Sequence, residues 1–127
     1  MNPVRAAIRE VLMDNDVEPV YSPIPPQGAD FPCVTIRIQG GADVLSFAGP
    51  PLENNVWLIK AISKSMGEAE DLDMAARAVL HRAHLTIPGY HNQELVRIGP
   101  VSYETTEDGE VFYHEGGEYR VITEEES

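Results

Sequence analysis

Basic residues are scarce in this sequence: nine lysines and arginines stand against 21 aspartates and glutamates, a formal net charge of −12. Such an acidic surface repels nucleic-acid phosphates, so a protein that grips DNA or RNA is not expected. The single cysteine, Cys33, excludes a disulfide within the sequence and fits a reducing compartment. No apolar run approaches the roughly 20 residues of a membrane span, and the charged N-terminal segment does not predict a secretory signal.

Catalytic and nucleotide-binding motifs are also missing. The sequence contains no Walker loop, no G-x-G-x-x-G and no G-x-S-x-G. Cys33 has no local Cys-His signature and is predicted to be a small buried hydrophobe. His81 and His84 lack an H-E-x-x-H frame, and His91 and His114 lie in a turn and near a strand end, so a metal site is not predicted. These residues assign no reaction.

The clearest secondary-structure pattern in the sequence is a strand followed by a helix. Val56–Ile62 is apolar at six of seven positions, which predicts a central strand buried on both faces. Ser65 and Glu68 fit a capping box at the start of a helix. Acids crowd its first turns and bases its last ones, and Asp73 and Arg77 form a favourable i,i+4 pair. The acids match no calcium-binding loop and need no ligand to explain them.

The first third of the sequence predicts a helix, a short strand and a longer strand. Apolar residues at helical spacing indicate a helix over residues 3–13, and residues 17–21 favour a short strand. Four prolines make residues 22–32 a stiff, exposed connection. Cys33–Ile38 alternates as a strand with one core face, formed by Val34, Ile36 and Ile38.

Two glycine- and proline-containing stretches interrupt the remaining strands. Residues 39–53 are predicted to be a long flexible loop, on which Leu45 and Phe47 have little apolar company and suggest a contact with another subunit. Residues 95–104 predict a strand bent or bulged at Gly99-Pro100. A hairpin turn follows at residues 106–109. In residues 111–122, Gly116-Gly117 permits either a bulge in one long strand or a further tight turn, and we prefer the bulged single strand. Residues 123–127 are predicted to be an acidic tail.

This order predicts a single domain over residues 1–127 of the α/β (α+β) class. We expect one mixed, mainly antiparallel sheet of about four to five strands, with two helices packed on one face. The other face would be free to meet partners. A small enzyme or ligand-binding α/β domain is a further hypothesis, but it needs a pocket with convergent polar groups, which the sequence does not indicate.

The pattern as a whole resembles the tail terminator and tail-completion proteins of long-tailed, siphovirus-like bacteriophages, over nearly the whole chain. The matching features are architectural rather than catalytic. They are an N-terminal helix, Val20-Tyr21 before the proline-rich segment, Phe31–Ile36, Val56–Ala61, Ala69–Leu80, the turn at Asp108-Gly109, Val111–His114 and Tyr119–Val121.

The resemblance implies a structural virion protein with no enzyme activity and no cofactor. It would form a hexameric ring that caps the tail tube, stops tube polymerisation and contacts the head-closure or connector protein. The expected location is the tail–neck junction of the virion, after assembly in the cytoplasm of the bacterial host and without membrane contact. DNA would traverse the acidic lumen without specific binding. Another head–tail neck protein, of the head-closure or tail-completion type, is the alternative.

A closed ring needs two different patches on each subunit, because its contacts are heterologous. The proline-rich segment and the 39–53 loop are the candidates for a subunit or tube interface. Their candidate contact residues are Pro25, Pro26, Phe31, Leu45, Phe47, Pro50 and Pro51.

Overall fold

The structure, a computed structural model, describes residues 3–22, 24–44, 52–85, 87 and 89–125. Its elements follow in the order α1 (Pro3–Asp14), β1 (Val20–Tyr21), β2 (Cys33–Val44), β3 (Leu52–Ser63), α2 (Met66–Leu80), β4 (Tyr90–Glu107) and β5 (Glu110–Glu125). The strands form one sheet in the order β1-β2-β3-β5-β4, in which only β1 and β2 pair in parallel. The predicted α+β class and the central position of β3 are confirmed.

Both helices contribute to one hydrophobic core against the sheet. Paired residues on neighbouring strands share a face, so the pairs Ile36↔Ile59 and Trp57↔Tyr119 place these side chains together beneath the helices. Each fully buried large apolar side chain contributes about 1.5–3 kcal/mol through removal from water. The core includes Ile8, Leu12, Val34, Ile36, Trp57, Ile59, Ala76, Leu80, Tyr119 and Val121.

Neither of the two described helices lies on the opposite face of the sheet, and we call it the helix-free face. Its residues on β3 are Val56, Leu58 and Lys60, all half-buried, whereas Trp57, Ile59 and Ala61 between them are buried. The prediction that this strand is buried on both faces is therefore wrong along most of its length. The sequence is apolar at consecutive positions because the half-buried residues Val56 and Leu58 of the helix-free face are apolar as well.

The start of α2 confirms half of the predicted capping box. The Oγ of Ser65 accepts the backbone N–H of Glu68 at 3.4 Å. The backbone N–H of Ser65 is bonded at 3.1 Å to the Oγ of Ser63, which in turn donates to the Glu68 carboxylate at 3.3 Å. Ser63 thus relays the second capping interaction, and the same two orphan N–H groups are satisfied.

An ion pair between α2 and β4 fixes the helix to the sheet. Asp73 accepts two hydrogen bonds from the Arg97 guanidinium, at 3.0 and 3.2 Å, and is not paired with Arg77 among the ion pairs of the described chain. Arg97 also donates to the Tyr119 hydroxyl at 3.2 Å and to the carbonyl of Gly116 at 2.7 Å. The predicted Asp73–Arg77 pair is wrong because a buried guanidinium from the sheet competes better than an exposed neighbour on the helix.

The predicted 39–53 loop is shorter than expected, because β2 extends to Val44 and β3 begins at Leu52. A register shift between Ile38 and Gly40 marks a bulge in β2. Ile38, predicted to face the core, is 39% exposed. β2 is not flanked by β1 at Ile38, because β1 pairs with β2 only at Val34 and Thr35. Residues 45–51 lie outside the described residues.

The β4–β5 hairpin turns at Asp108 and Gly109, as predicted, and both residues have positive φ, 50° and 80°. Such values suit the tight turn that joins twisted antiparallel strands. β5 is the single strand predicted, but it pairs with β3 without a register shift. Register shifts occur instead between β4 and β5, one between Arg97 and Gly99 at the bend predicted there and another between Asn92 and Leu95. Residues 123–125 belong to β5 rather than to an acidic tail.

Candidate functional site

One end of the helix-free face is covered by the proline-rich segment and forms a second apolar cluster. Cys33, Ile62 and Phe112 are its buried residues, with Tyr21 and Phe31 packed against them. The rings of Phe31 and Phe112 lie 5.1 Å apart at a tilt of 48°. The segment that the sequence predicts to be an exposed connection is therefore partly anchored on the sheet.

A groove opens beside this cluster, and we call it the end groove. Its floor is formed by Phe31, Ile62, Phe112 and His114, and its main cavity measures about 340 Å³. A second cavity of about 420 Å³ continues it across Phe31, along residues 63–65 and Glu68. Volumes of this size suit a large side chain or a short peptide segment rather than a single water.

His114 is a buried polar residue of the main cavity, with 8% of its surface exposed. Its Nε2 lies 2.8 Å from the Oγ1 of Thr105, and its ring stacks on Tyr103 at 4.4 Å. Tyr103 also accepts a hydrogen bond from the ammonium of Lys60. Burial and the Lys60 charge lower the pKa of His114 from 6.5 to about 4, so the ring is neutral at pH 7. Its Nδ1 has no hydrogen-bond partner among the described residues.

The rim of the groove is acidic. Glu107 and Glu110 border the main cavity, and Asp30 and Glu68 border the second one. Lys64 is the basic residue among these linings, and its ammonium lies 3.1 Å from the Glu110 carboxylate. Four carboxylates against one ammonium leave a negative field over an apolar floor.

The outer edge of β4 borders the same groove, because Thr105 and Glu107 belong to both. Residues 82–83 cover this edge at Leu95, where two backbone bonds form, at 2.7 and 3.1 Å. The N–H of Arg97 is bonded to the Nδ1 of His81 at 3.2 Å. Beyond Arg97, no further backbone bond reaches the outer edge of β4 from the described parts of the chain. An uncovered edge of this kind can pair with another strand.

The predicted interface residues divide into two groups. Pro25, Pro26 and Phe31 come together in the end groove. The other four, Leu45, Phe47, Pro50 and Pro51, lie outside the described residues. Whether any of them contacts another subunit stays a prediction.

Sequence reasoning did not find the groove residues His114, Thr105 and Phe112. Phe112 and His114 are alternate residues of β5, and Thr105 on β4 is paired with Phe112. The tight turn at Asp108-Gly109 and the alternation of both strands were signals that could have paired them. That pairing does not reveal which face stays open, because coverage by helices is a tertiary property.

The surroundings of the remaining histidines and of the cysteine differ from one residue to the next. His84 is exposed, His81 accepts the Arg97 N–H, and the side chain of His91 is not described. No group of three potential metal ligands occurs among the residues that the structure describes. Cys33 is fully buried, as predicted, and burial raises its thiol pKa to about 11. None of the described helices is long and apolar enough to cross a bilayer.

A chain of a solved structure, "Virion of native gene transfer agent (GTA) particle", has the same fold. It superposes with a TM-score of 0.76 at 17% sequence identity, covering 95% of this chain and 94% of that chain. The two chains therefore share the overall fold. No protein-family model matches the sequence, and none of the curated proteins is similar to it in sequence.

Proposed function

We propose that this chain is a structural protein of a phage-like virion and acts as its tail terminator. The observation that carries the proposal is the fold shared with a chain of the gene transfer agent virion over 95% of the length. The sequence resemblance to tail terminators, drawn from different observations, points to the same kind of particle. In this role the chain has no catalytic task.

The proposed working form is a hexameric ring that caps the tail tube. The helix-free face supports this form, because it exposes half-buried apolar side chains along β3, such as Val56 and Leu58, without a helix to cover them. A ring also needs two different patches per subunit, and the sheet offers two unlike edges, the short β1 and the long β4.

The proposed partners are the tail tube protein on one side of the ring and the head-closure or connector protein on the other. Six subunits with a charge of −12 each would surround the lumen with negative potential. DNA would then pass through without adhering. The location that follows is the tail–neck junction of the virion.

Negative-stain imaging of the purified chain mixed with its tube protein tests the proposal. The expected result is a ring at one end of each tube and a tube length that stops increasing. Leu58→Asp places a charge on the helix-free face and should abolish capping, whereas Glu70→Lys on the exposed side of α2 should not. Uncapped tubes that continue to grow in the presence of the wild-type chain would refute the terminator role.

The alternative neck role is distinguished by the particle to which the chain binds. A terminator attaches to purified tails, whereas a head-closure or connector protein attaches to DNA-filled heads that lack tails. Co-sedimentation with separated heads and tails therefore decides between them. Leu45→Ser/Phe47→Ser further tests the predicted interface residues of the β2–β3 connection, and it should weaken assembly without unfolding the chain.

A further inference from the structure

We infer that the end groove and the adjoining edge of β4 bind an extended segment of a partner protein, one with a large apolar side chain flanked by lysine or arginine. The inference rests on the described residues of the groove and does not depend on ring formation or on a role in tails. Three features carry it: the floor of the groove, the uncovered strand edge and the charge of the rim.

The floor of the groove selects an apolar side chain with a polar neighbour. Phe31, Ile62 and Phe112 present apolar surface around a cavity of about 340 Å³. His114 lines the same cavity, is 92% buried, and has an Nδ1 without a partner in the described chain. A buried nitrogen in this state is costly unless something bonds it. A backbone or hydroxyl group that accompanies the apolar side chain would satisfy it.

The edge of β4 selects an extended backbone. Residues 101–107 follow the bulge and Pro100 and contain no further proline or glycine. Alternate residues of an edge strand direct their N–H and C=O groups outward, where an added strand bonds them. Because Thr105 and Glu107 belong to the groove as well, a strand added here can place a side chain into the cavity.

The rim selects positive charge. Asp30, Glu68, Glu107 and Glu110 surround the groove, and Lys64 is engaged by Glu110. Lysine or arginine residues on either side of the apolar anchor would meet these carboxylates. A nucleic acid or an acidic peptide would be repelled, and the attraction should weaken with salt because the rim is solvent-exposed.

Selection from a displayed library of random peptides of about twelve residues, against the full chain, provides the probe. Enriched peptides should carry an aromatic or aliphatic residue with lysine or arginine nearby. The best peptide, labelled with fluorescein, should bind about tenfold more weakly to Glu107→Lys/Glu110→Lys. Glu70→Lys/Asp71→Lys changes the net charge equally on the exposed side of α2 and should leave binding unchanged. The inference would be overturned if the enriched peptides were acidic or uncharged, or if no peptide were enriched. Equal weakening of peptide binding by both double variants would also overturn it.

Hydrogen exchange and a modified peptide test the strand addition separately. The bound peptide should slow amide exchange at residues 101–107, and N-methylation of its alternate residues should abolish binding because it removes the backbone donors. Protection elsewhere, or undiminished binding of both alternately N-methylated peptides, would refute the edge-strand geometry. A concentration-dependent dimer in light scattering that Glu107→Lys/Glu110→Lys dissociates would assign the edge to a second copy of this chain and refute the basic partner.

Discussion

The helix-covered and helix-free faces of the sheet use alternate residues of the same strands, yet they differ in what covers them. Ile59, beneath the helices, is 1% exposed, whereas its neighbour Leu58 on the helix-free face is half-buried. The ion pairs differ in the same way. Asp73 and Arg97 have side chains only 16% and 10% exposed, against 56% and 57% for Glu110 and Lys64. One face therefore stabilises the fold, and the other remains available for contacts.

Truncating neighbouring residues of β3 tests this difference most directly. Ile59→Ala should lower the free energy of unfolding by about 4 kcal/mol, because it removes a buried side chain and leaves a cavity. Leu58→Ala should cost about 1 kcal/mol or less, because much of that side chain already meets water. Urea unfolding of both variants, followed by circular dichroism, gives the comparison. Equal losses would mean that the helix-free face is covered in the isolated chain.

The buried ion pair between α2 and the sheet should give the next largest effect. Asp73→Ala should cost about 3 kcal/mol, because it leaves the Arg97 guanidinium buried without its carboxylate. Arg77→Ala removes the partner expected from the sequence and should cost less than about 0.5 kcal/mol, because that side chain is exposed. The same urea titration measures both. A larger loss of stability for Arg77→Ala than for Asp73→Ala would support the Asp73–Arg77 pair predicted from the sequence.

Local patterns were sufficient for the helices and the hairpin turn but not for the contacts between elements. Helical spacing placed α1 within one residue, and Asp108-Gly109 identified the turn. Spacing alone favoured Arg77 as the partner of Asp73, because the approach of Arg97 depends on the sheet register. That approach also requires Gly117, where an added Cβ would lie 2.7 Å from the Arg97 guanidinium.

The end groove was not predicted from the sequence, for the same reason. The proline-rich composition of residues 22–32 marked Pro25, Pro26 and Phe31 as candidate interface residues, and their contact with another subunit stays a prediction. Phe112 looked like an ordinary strand residue, and His114 was considered only as a metal ligand and set aside. They become part of a groove only because the proline-rich segment folds over one end of the helix-free face and leaves the rest uncovered.

The buried His114 should make the groove end of the sheet sensitive to acid. Because the pKa of His114 is lowered to about 4, the unfolded chain takes up a proton near pH 6.5 that the folded chain takes up only near pH 4. Stability should therefore fall as the pH falls through this window. Between about pH 7.5 and 5 the wild type should lose about 2 kcal/mol more than His114→Gln, which has no such proton. Parallel pH profiles of the two chains would contradict the buried neutral ring.

The exposed pair of the groove rim should give the smallest effect on stability. Glu110→Ala should change the free energy of unfolding by less than about 0.5 kcal/mol. The Lys64–Glu110 pair is exposed, so water screens the attraction between the two charges. A double-mutant cycle with Lys64→Ala measures the interaction itself, and the same cycle on Asp73 and Arg97 is the matched comparison. A coupling energy at Lys64–Glu110 close to that of the buried pair would show that the rim is shielded from water. Loss of that coupling at high salt would instead confirm a solvated rim, which remains free to attract a basic partner.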